Sequence, residues 1–195
     1  MIDTIHQYFF TALWIGWACF FWVASFDVKT AAQRENLSSR LRHTMPVAIG
    51  GALLGINYNW IPVLYLRFMP AAAWPFWIGA VLAFTGMLLA LWARHSLGGN
   101  WSGTVTIKAE HELIVKGPYA IVRHPIYTGI LLAFIGFAIA EGEWRSVLGV
   151  AIITTGLWYK LSLEERWMHK QFGNAYQDYC RRVPSLIPSL VYARK

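Results

Sequence analysis

Long runs of residues without a formal charge dominate the first half of the chain. Three of them cover residues 8–26, 45–66 and 72–93 and contain 19, 22 and 22 residues. A helix needs about 20 apolar residues to cross the roughly 30 Å of hydrocarbon in a bilayer, so each run predicts a transmembrane helix. In the second run, Asn57, Asn59 and Pro62 are polar or helix-breaking, and we interpret them as contacts to neighbouring helices or to a kinked backbone.

Two shorter uncharged runs follow, at residues 126–140 and 146–159. The second can continue as a helix past Lys160, and the two together predict a helical hairpin that turns at Glu141-Gly142-Glu143. The chain is therefore predicted to be all-α, a polytopic transmembrane helical bundle with about five spans. Residues 1–195 are expected to form a single integral membrane domain.

The positive charges are distributed unevenly along this pattern. Of 17 Lys and Arg residues, 15 lie in the segments 27–44 and 94–125 and in the tail from residue 160, while Arg67 and Arg145 lie elsewhere. Cytoplasmic loops of membrane proteins carry such an excess, so the N-terminus is predicted outside and the C-terminus in the cytosol, in the inner or plasma membrane. The net charge of +7 then reflects attraction to anionic lipid headgroups and does not indicate a nucleic-acid partner.

Two polar segments are predicted to cover the cytosolic end of the bundle. The loop 94–125 contains two β-prone runs, 104–107 and 112–115, which predict a small hairpin or cap. The segment 164–182 has aromatic residues at helical spacing and a break at Gly173-Asn174. It is interpreted as a helix on the membrane surface, as a lid over a ligand, or as both.

The tripeptide Arg123-His124-Pro125 is the main candidate for chemistry, because it joins two polar side chains to the start of an apolar run. Proline is favoured at the first helical position, so Arg123 and His124 are predicted at a helix N-terminus, where free amide groups favour anions. Arg123 offers donors for a carboxylate or phosphate, and His124 can exchange a proton near neutral pH. The alternative is an arginine that merely extends to the membrane interface.

Glu164 and Glu165 are predicted on the same side of the membrane as Arg123. One of them can pair with Arg123, bind ribose hydroxyls or bind an ammonium group, and the other can face solvent, because helix neighbours differ by about 100°. Several aromatic residues are expected near the same mouth, where they form an ordinary interfacial belt or attract a cation: Trp101, Tyr119, Tyr127, Trp158 and Tyr159.

Several other kinds of site are not supported by the sequence. It contains no Rossmann fingerprint, P-loop, H-E-x-x-H or C-x-x-C motif, and its six histidines lack ligand spacing, so no metal is predicted. Cys19 is predicted in the membrane and Cys180 in the cytosol, so they are not expected to form a disulfide.

The motifs of the second half resemble the isoprenylcysteine carboxyl methyltransferase family of integral membrane enzymes. The matching residues are Leu97-Gly98-Gly99-Asn100-Trp101-Ser102, Gly117-Pro118-Tyr119, Arg123-His124-Pro125-Ile126-Tyr127, Glu164-Glu165, Phe172-Gly173, Tyr176, Tyr179, Arg182-Val183-Pro184 and Ile187-Pro188. Phospholipid N-methyltransferases and, more distantly, sterol reductases share the R-H-P-x-Y part. Residues 1–93 match only as three hydrophobic spans, whereas 94–195 form the methyltransferase-like region.

The resemblance implies S-adenosylmethionine as methyl donor, in a cytosol-facing pocket capped by the loop 94–125 and the C-terminal segment. It also implies a lipophilic acceptor that enters from the membrane. The residues it assigns to the cofactor site are Gly117, Pro118, Tyr119, Arg123, His124, Pro125, Tyr127, Glu164 and Glu165. Of these, Arg123, His124 and Glu164 are the predicted catalytic residues.

The sequence therefore predicts methyl transfer to an isoprenylcysteine-type carboxylate, a lipid amine or an apolar thiol. A carboxylate needs only positioning and desolvation, whereas an amine or thiol needs a base, for which His124 or a glutamate is the candidate. The alternatives are a membrane reductase that uses NADPH, with Arg123 on a phosphate, and a non-enzymatic protein on the same scaffold. A monomer suffices, because all the proposed groups belong to one chain.

Overall fold

The computed structural model describes residues 2–55, 61–108 and 111–188. Within them the chain forms six α-helices and two short strands: α1 (Ile2–Ala24), β1 (Ala31–Arg34), α2 (Leu37–Gly55), α3 (Ala73–Leu97), β2 (Thr106–Lys108), α4 (Pro125–Glu141), α5 (Trp144–Phe172) and α6 (Asn174–Arg182). The protein is mostly helical, as predicted, but the small sheet means that it is not purely α.

Four of the five predicted spans coincide with helices α1, α3, α4 and α5. Two stretches, Ala73–Asn100 and Trp144–Phe172, are long and apolar enough to cross a membrane, and Tyr8–Ala24 and Pro125–Glu141 are shorter apolar helices. The number of spans and the orientation of the chain remain predictions.

The second predicted span differs from the structure at both of its ends. Helix α2 begins at Leu37, well before the uncharged run, and its described part ends at Gly55. A short 3-10 helix, Pro62–Tyr65, occupies the end of the run, so the prediction of one helix through residue 66 is wrong. Pro62 opens this turn because it has no N–H and its φ is fixed. Asn57 and Asn59 lie outside the described residues.

Glycines allow the helices around the site to approach closely. A methyl group added at Gly79 would overlap the carbonyl oxygen of Gly136, and one added at Gly86 would overlap that of Gly129. Small residues let helices pack backbone to backbone in this way, as in membrane bundles generally. The long α3 therefore holds α4, and with it the Arg123-His124-Pro125 segment, at a fixed position.

The predicted hairpin between 104–107 and 112–115 is wrong, because β2 pairs with a different partner. β2 lies antiparallel to β1, with Gln33 opposite Ile107 and Arg34 opposite Thr106. The pairing joins the segments that precede α2 and follow α3. Inside this junction the buried carboxylate of Glu35 accepts hydrogen bonds from the Val105 N–H at 3.0 Å and the Ser39 hydroxyl at 3.0 Å.

Both predicted breaks near α5 are confirmed. The α4–α5 hairpin turns at Gly142, which has a φ of 69° and a left-handed conformation. At its other end α5 stops at Phe172, and Gly173, with a φ of 53°, separates it from α6. Positive φ suits glycine because the residue has no Cβ. Helix α6 and the segment after it thereby return towards the start of α4.

Candidate active site

The candidate site lies where the start of α4, the polar end of α5 and the chain after α6 meet. Pro125 is the first residue of α4, as predicted, and His124 is its N-terminal flanking residue. The backbone N–H groups of Arg123 and His124 donate to the carbonyls of Pro184 and Ser185, at 2.9 and 3.0 Å. The extended segment after α6 is thus fastened to the residues that precede α4.

The Arg123 side chain strengthens the same junction. Its Nε and Nη2 donate to Oε1 of Glu165 at 2.9 and 2.6 Å, and its Nη1 donates to the Val183 carbonyl at 2.6 Å. Charge-assisted bonds of this length are among the strongest in proteins. Most of the donors of Arg123 are therefore occupied by the chain itself, and Glu165 is turned towards this ion pair.

Glu164 is directed differently from its neighbour, as expected for consecutive helical residues. Its carboxylate accepts a hydrogen bond from the Tyr127 hydroxyl, and its Oε2 lies 3.6 Å from Nδ1 of His124. His124 Nε2 lies 3.1 Å from Oε1 of Glu165, so the imidazole stands between the two carboxylates. The His124 and Tyr127 rings are stacked, with centroids 5.6 Å apart.

The two carboxylates determine the charge of His124. Burial by itself lowers the pKa of this imidazole, but hydrogen bonds and charge interactions with Glu164 and Glu165 outweigh burial, and the pKa of His124 is raised. The two carboxylates therefore stabilise the protonated form, in which both ring nitrogens are donors. The cluster is a connected network in which the imidazole of His124 lies between Glu164 and Glu165.

A cavity of about 370 Å³ opens beside this network. This volume lies in the range of about 300–1,000 Å³ that is typical of small-molecule sites. Polar residues of its lining come from the segment between α3 and α4 and include Asn100, Thr106 and His111, whereas α1, α3 and α4 contribute the apolar residues Trp17, Phe21, Leu97, Ile126 and Ile130. The cavity can hold a molecule, or two molecules, with a polar part and an apolar part.

The sequence-predicted site residues divide into two groups around the cavity. Tyr119, Arg123, His124, Tyr127 and Glu164 line it. Among the described residues, four others stand behind the wall and do not line it: Gly117, Pro118, Pro125 and Glu165.

Gly117 and Pro118 act through Tyr119. They form a tight turn in which Gly117 has a φ of 62°. The turn delivers the Tyr119 ring to the cavity, and the Tyr179 hydroxyl donates to the Tyr119 carbonyl at 2.6 Å.

The expected aromatic mouth is only partly present. Trp101, Tyr119 and Tyr127 line the cavity, but Trp158 is 59% exposed and Tyr159 points to Arg42, with its hydroxyl accepting from Arg42 Nη1 at 3.5 Å. Trp158 and Tyr159 do not line the cavity, because their side of α5 faces away from it, and an interfacial belt stays the prediction for both.

Trp17, Thr106 and Lys160 are among the cavity residues that sequence reasoning missed. Trp17 is one of several aromatic residues in an apolar run, so the sequence does not single it out. Thr106 belongs to a β-prone run for which the wrong strand partner was predicted. Lys160 was considered only as a charged residue past which the last apolar run continues as a helix. Lys160 Nζ donates to the Gly103 carbonyl at 2.8 Å and lies 5.4 Å from the centre of the Tyr127 ring. For Lys160, a spacing of four from Glu164 was the available signal, because such residues share a helix face.

The described chain matches the phospholipid methyltransferase family model over residues 74–175. It is similar to protein-S-isoprenylcysteine O-methyltransferase B of Arabidopsis thaliana, with 28% identity over 127 residues that cover 62% of this chain and 64% of that protein. It is also similar to methanethiol S-methyltransferase 2 of Bradyrhizobium diazoefficiens, with 42% identity over 77 residues that cover 40% of this chain and 29% of that protein.

Among solved structures, the chain is similar to a eukaryotic intramembrane isoprenylcysteine carboxyl methyltransferase. The TM-score is 0.56 at 26% sequence identity, and the match covers 79% of this chain and 54% of that one. The resemblance expected from the motifs is confirmed. The chain spans less than two thirds of the length of each of these relatives.

Proposed function

The chain belongs to the phospholipid methyltransferase family, and on that premise we propose that it transfers a methyl group from S-adenosylmethionine to a lipophilic acceptor dissolved in the membrane. The observation that carries this proposal is the placement of Glu164. Glu164 lines the cavity, with its carboxylate held by His124 and Tyr127, and apolar residues of α1, α3 and α4 belong to the same lining.

The groups around the cavity are suited to this methyl donor. When bound, S-adenosylmethionine supplies a methyl group on a sulfonium, and it also carries an ammonium, a carboxylate and a ribose. Glu164 would bind the ammonium or the ribose hydroxyls, and the faces of Trp101, Tyr119 and Tyr127 would attract the sulfonium. Lys160 and Asn100 offer donors for the carboxylate.

The role of Arg123 in this proposal is mainly to hold the site together. Because its donors bind Glu165 and Val183, Arg123 fastens the C-terminal segment over the cavity and fixes His124 beside Glu164. Its exposed edge also contributes positive charge at the cavity wall. Glu165 pairs with Arg123 and His124, whereas Glu164 is the one of the two neighbouring carboxylates that lines the cavity.

Catalysis by such a site comes mainly from alignment. A bond forms between the acceptor atom and the methyl carbon while the carbon–sulfur bond breaks, and its electron pair stays on sulfur as a neutral thioether that needs no proton. Orientation of two reactants can contribute about 7–11 kcal/mol. The apolar wall of α1, α3 and α4 would admit the acceptor from the membrane and exclude water from the reacting atoms. The site is expected to face the cytosol.

Calorimetry with S-adenosylhomocysteine and with NADPH tests the donor. We expect saturable binding of S-adenosylhomocysteine by the purified protein and none of NADPH. Binding of NADPH alone would replace the proposal by a reductase. Binding of neither would favour a non-enzymatic protein on the same scaffold.

Isotope labelling tests the acceptor. Cells with and without the protein are given methionine with a labelled methyl group, and their lipid extracts are compared. A labelled carboxyl ester, thioether or methylamine that depends on the protein would identify the acceptor class. A Glu164→Gln variant, expressed to the same level, should lack the labelled product, and labelling unchanged in that variant would contradict the role of Glu164.

A further inference from the structure

Two residues that line the cavity each carry a buried side-chain polar atom without a hydrogen-bond partner. In the described part of the chain, four buried side-chain N or O atoms have no hydrogen-bond partner: Trp17 Nε1, Arg94 Nε, Thr106 Oγ1 and Ser146 Oγ. Trp17 and Thr106 are the two that line the cavity. An unpaired buried donor costs about 1–3 kcal/mol of folding free energy. A ligand in the cavity that accepts a hydrogen bond from such a donor would remove this cost.

Trp17 is one of the residues that α1 contributes to the apolar part of the cavity lining. It lies seven residues before the end of α1 at Ala24, which places it about 10 Å inside the helix end at 1.5 Å per residue. Its ring packs against the Phe21 ring, with the two centroids 4.7 Å apart, and the Phe21 ring packs against that of Trp101, with centroids 5.5 Å apart. An aromatic wall therefore runs from the cap of the cavity to Trp17, with the indole N–H as a polar atom among apolar neighbours.

The chemistry of an indole restricts what it can recognise. Trp Nε1 only donates, so its partner must offer a lone pair. A carboxylate keeps a second oxygen free when the first attacks the methyl group, and a thiolate sulfur keeps further lone pairs. A neutral amine has one lone pair, which the reaction consumes. An N–H in the acceptor pocket therefore suits the first two groups and hinders the third.

We infer that Trp17 Nε1 donates a hydrogen bond to the methyl acceptor and selects an anionic carboxylate or thiolate over a lipid amine. This inference rests on the proposed function and assigns a specificity residue in α1, outside the motif region. Thr106 and Glu164 belong to the polar half of the cavity, where the methyl donor is proposed to bind. The acceptor would enter from the apolar half, with its hydrocarbon part along Phe21, Ile126 and Ile130.

The test compares Trp17→Phe, which keeps an aromatic ring and removes the N–H, with Trp22→Phe. Trp22 lies on the same helix, is 66% exposed and is outside the cavity wall, so it is the matched control. Three acceptors are used with labelled S-adenosylmethionine: N-acetyl-S-farnesylcysteine as a carboxylate, decanethiol as a thiol and phosphatidylethanolamine as an amine. The measured quantities are kcat and KM for each acceptor, and binding of the tritiated farnesylcysteine without the methyl donor.

We expect Trp17→Phe to lower kcat/KM for the carboxylate or the thiol about tenfold or more, as for loss of a bond to a charged group. Binding of the tritiated probe should weaken in parallel, while Trp22→Phe matches the wild type. A Trp17→Phe enzyme within twofold of the wild type would overturn the inference and leave the proposed function standing. Methylation of the amine alone by the wild type would also overturn it. Failure with all three acceptors would count against the proposed function as well.

Two measurements separate recognition from misfolding. Binding of S-adenosylhomocysteine by Trp17→Phe should equal that of the wild type, because the methyl donor is proposed to bind at Glu164 and the polar residues of the lining and not at Trp17. Benzothienylalanine at position 17 replaces the N–H by sulfur with almost no change of shape, and should reproduce the loss. Full activity with benzothienylalanine would show that the N–H is not used.

Discussion

The two ends of the α4–α5 hairpin carry the same chemical groups in different surroundings. Where α4 begins, Arg123 pairs with Glu165 and stands beside a cavity. At the turn, Arg145 pairs with Glu141 at 3.1 Å and with Glu143 at 2.6 Å. Both arginines are nearly buried, and both were marked by the sequence as charges next to apolar runs.

The difference lies in what remains free at each end. Arg145 also donates to the carbonyls of Leu53 and Leu54, in the last described turn of α2. Its partners are all groups of the chain, so its burial is explained by the fold. At the other end Glu164 presents a carboxylate to the cavity. A buried arginine next to an apolar run therefore indicates a ligand site only when a neighbouring charged side chain, such as Glu164, also lines a cavity.

The largest expected difference between the two ends concerns ligand binding. Glu164→Gln removes the negative charge beside His124 and Tyr127 in the cavity, and we expect kcat/KM to fall at least about 100-fold, with binding of S-adenosylhomocysteine at least about tenfold weaker. Glu143→Gln, at the turn, should leave the binding constant within twofold of the wild type. Calorimetry on both purified variants measures this. Equal weakening by the two substitutions would remove the distinction between the ends.

A second difference concerns stability. Arg145→Ala removes the cation that pairs with Glu141 and Glu143, and Arg123→Ala leaves Glu165 with His124 as its remaining basic partner. We expect each substitution to cost about 2 kcal/mol, less than for a fully buried pair. Arg145→Ala should lower the unfolding midpoint without exposing the C-terminal segment. Arg123→Ala should in addition make residues 183–188 sensitive to limited proteolysis, because their link to α4 is lost. If residues 183–188 stay resistant to proteolysis in Arg123→Ala, Arg123 is not what holds this segment against the start of α4.

A smaller effect is expected from one neutral hydrogen bond beside the cavity. Tyr179→Phe removes the bond to the Tyr119 carbonyl, which is buried, and should cost about 1 kcal/mol in unfolding free energy. Because Tyr119 lines the cavity, binding of S-adenosylhomocysteine should weaken slightly as well. Tyr159→Phe is the control, since the Tyr159 phenol faces away from the site, and its midpoint should not change. A Tyr179→Phe midpoint that equals the control would show that the bond contributes nothing.

The smallest effect is a pH dependence that belongs to one end only. The pKa of His124 is raised in the folded protein, so its contribution to stability is complete below the unfolded pKa of about 6.5. That contribution is lost as the pH rises through the folded pKa. The described ion pairs of Arg145 involve no imidazole. Between about pH 6 and about pH 9, the unfolding midpoint should fall more in the wild type than in His124→Gln. Parallel profiles would contradict this assignment.

Local signals in the sequence predicted much of this fold. Pro125 marks the start of α4, Gly142 marks the hairpin turn and Gly173 marks the end of α5, because each residue determines its own backbone conformation. The pairing of β1 with β2 was not predictable in the same way. Its partners are more than 70 residues apart, and nothing in the sequence of either strand selects the other.

In the candidate site, too, the features with a local sequence signal were predictable and those that depend on long-range packing were not. The motifs brought together Arg123, His124, Tyr127 and the two glutamates, and the helical offset predicted that the glutamates would face different directions. Which of them faces the cavity depends on the rotation of α5 against α4, which the sequence alone did not determine. Trp17 was missed because an aromatic residue in an apolar helix carries no local sign that its N–H meets a cavity.

The most direct test of the proposed cofactor site is a structure of the protein with S-adenosylhomocysteine bound. We expect the nucleoside in the cavity between the end of α5 and the segment that carries β2, with Glu164 in direct contact and the Arg123–Glu165 pair intact behind it. A nucleoside bound elsewhere, or a Glu164 carboxylate that makes no contact with it, would contradict the proposed site.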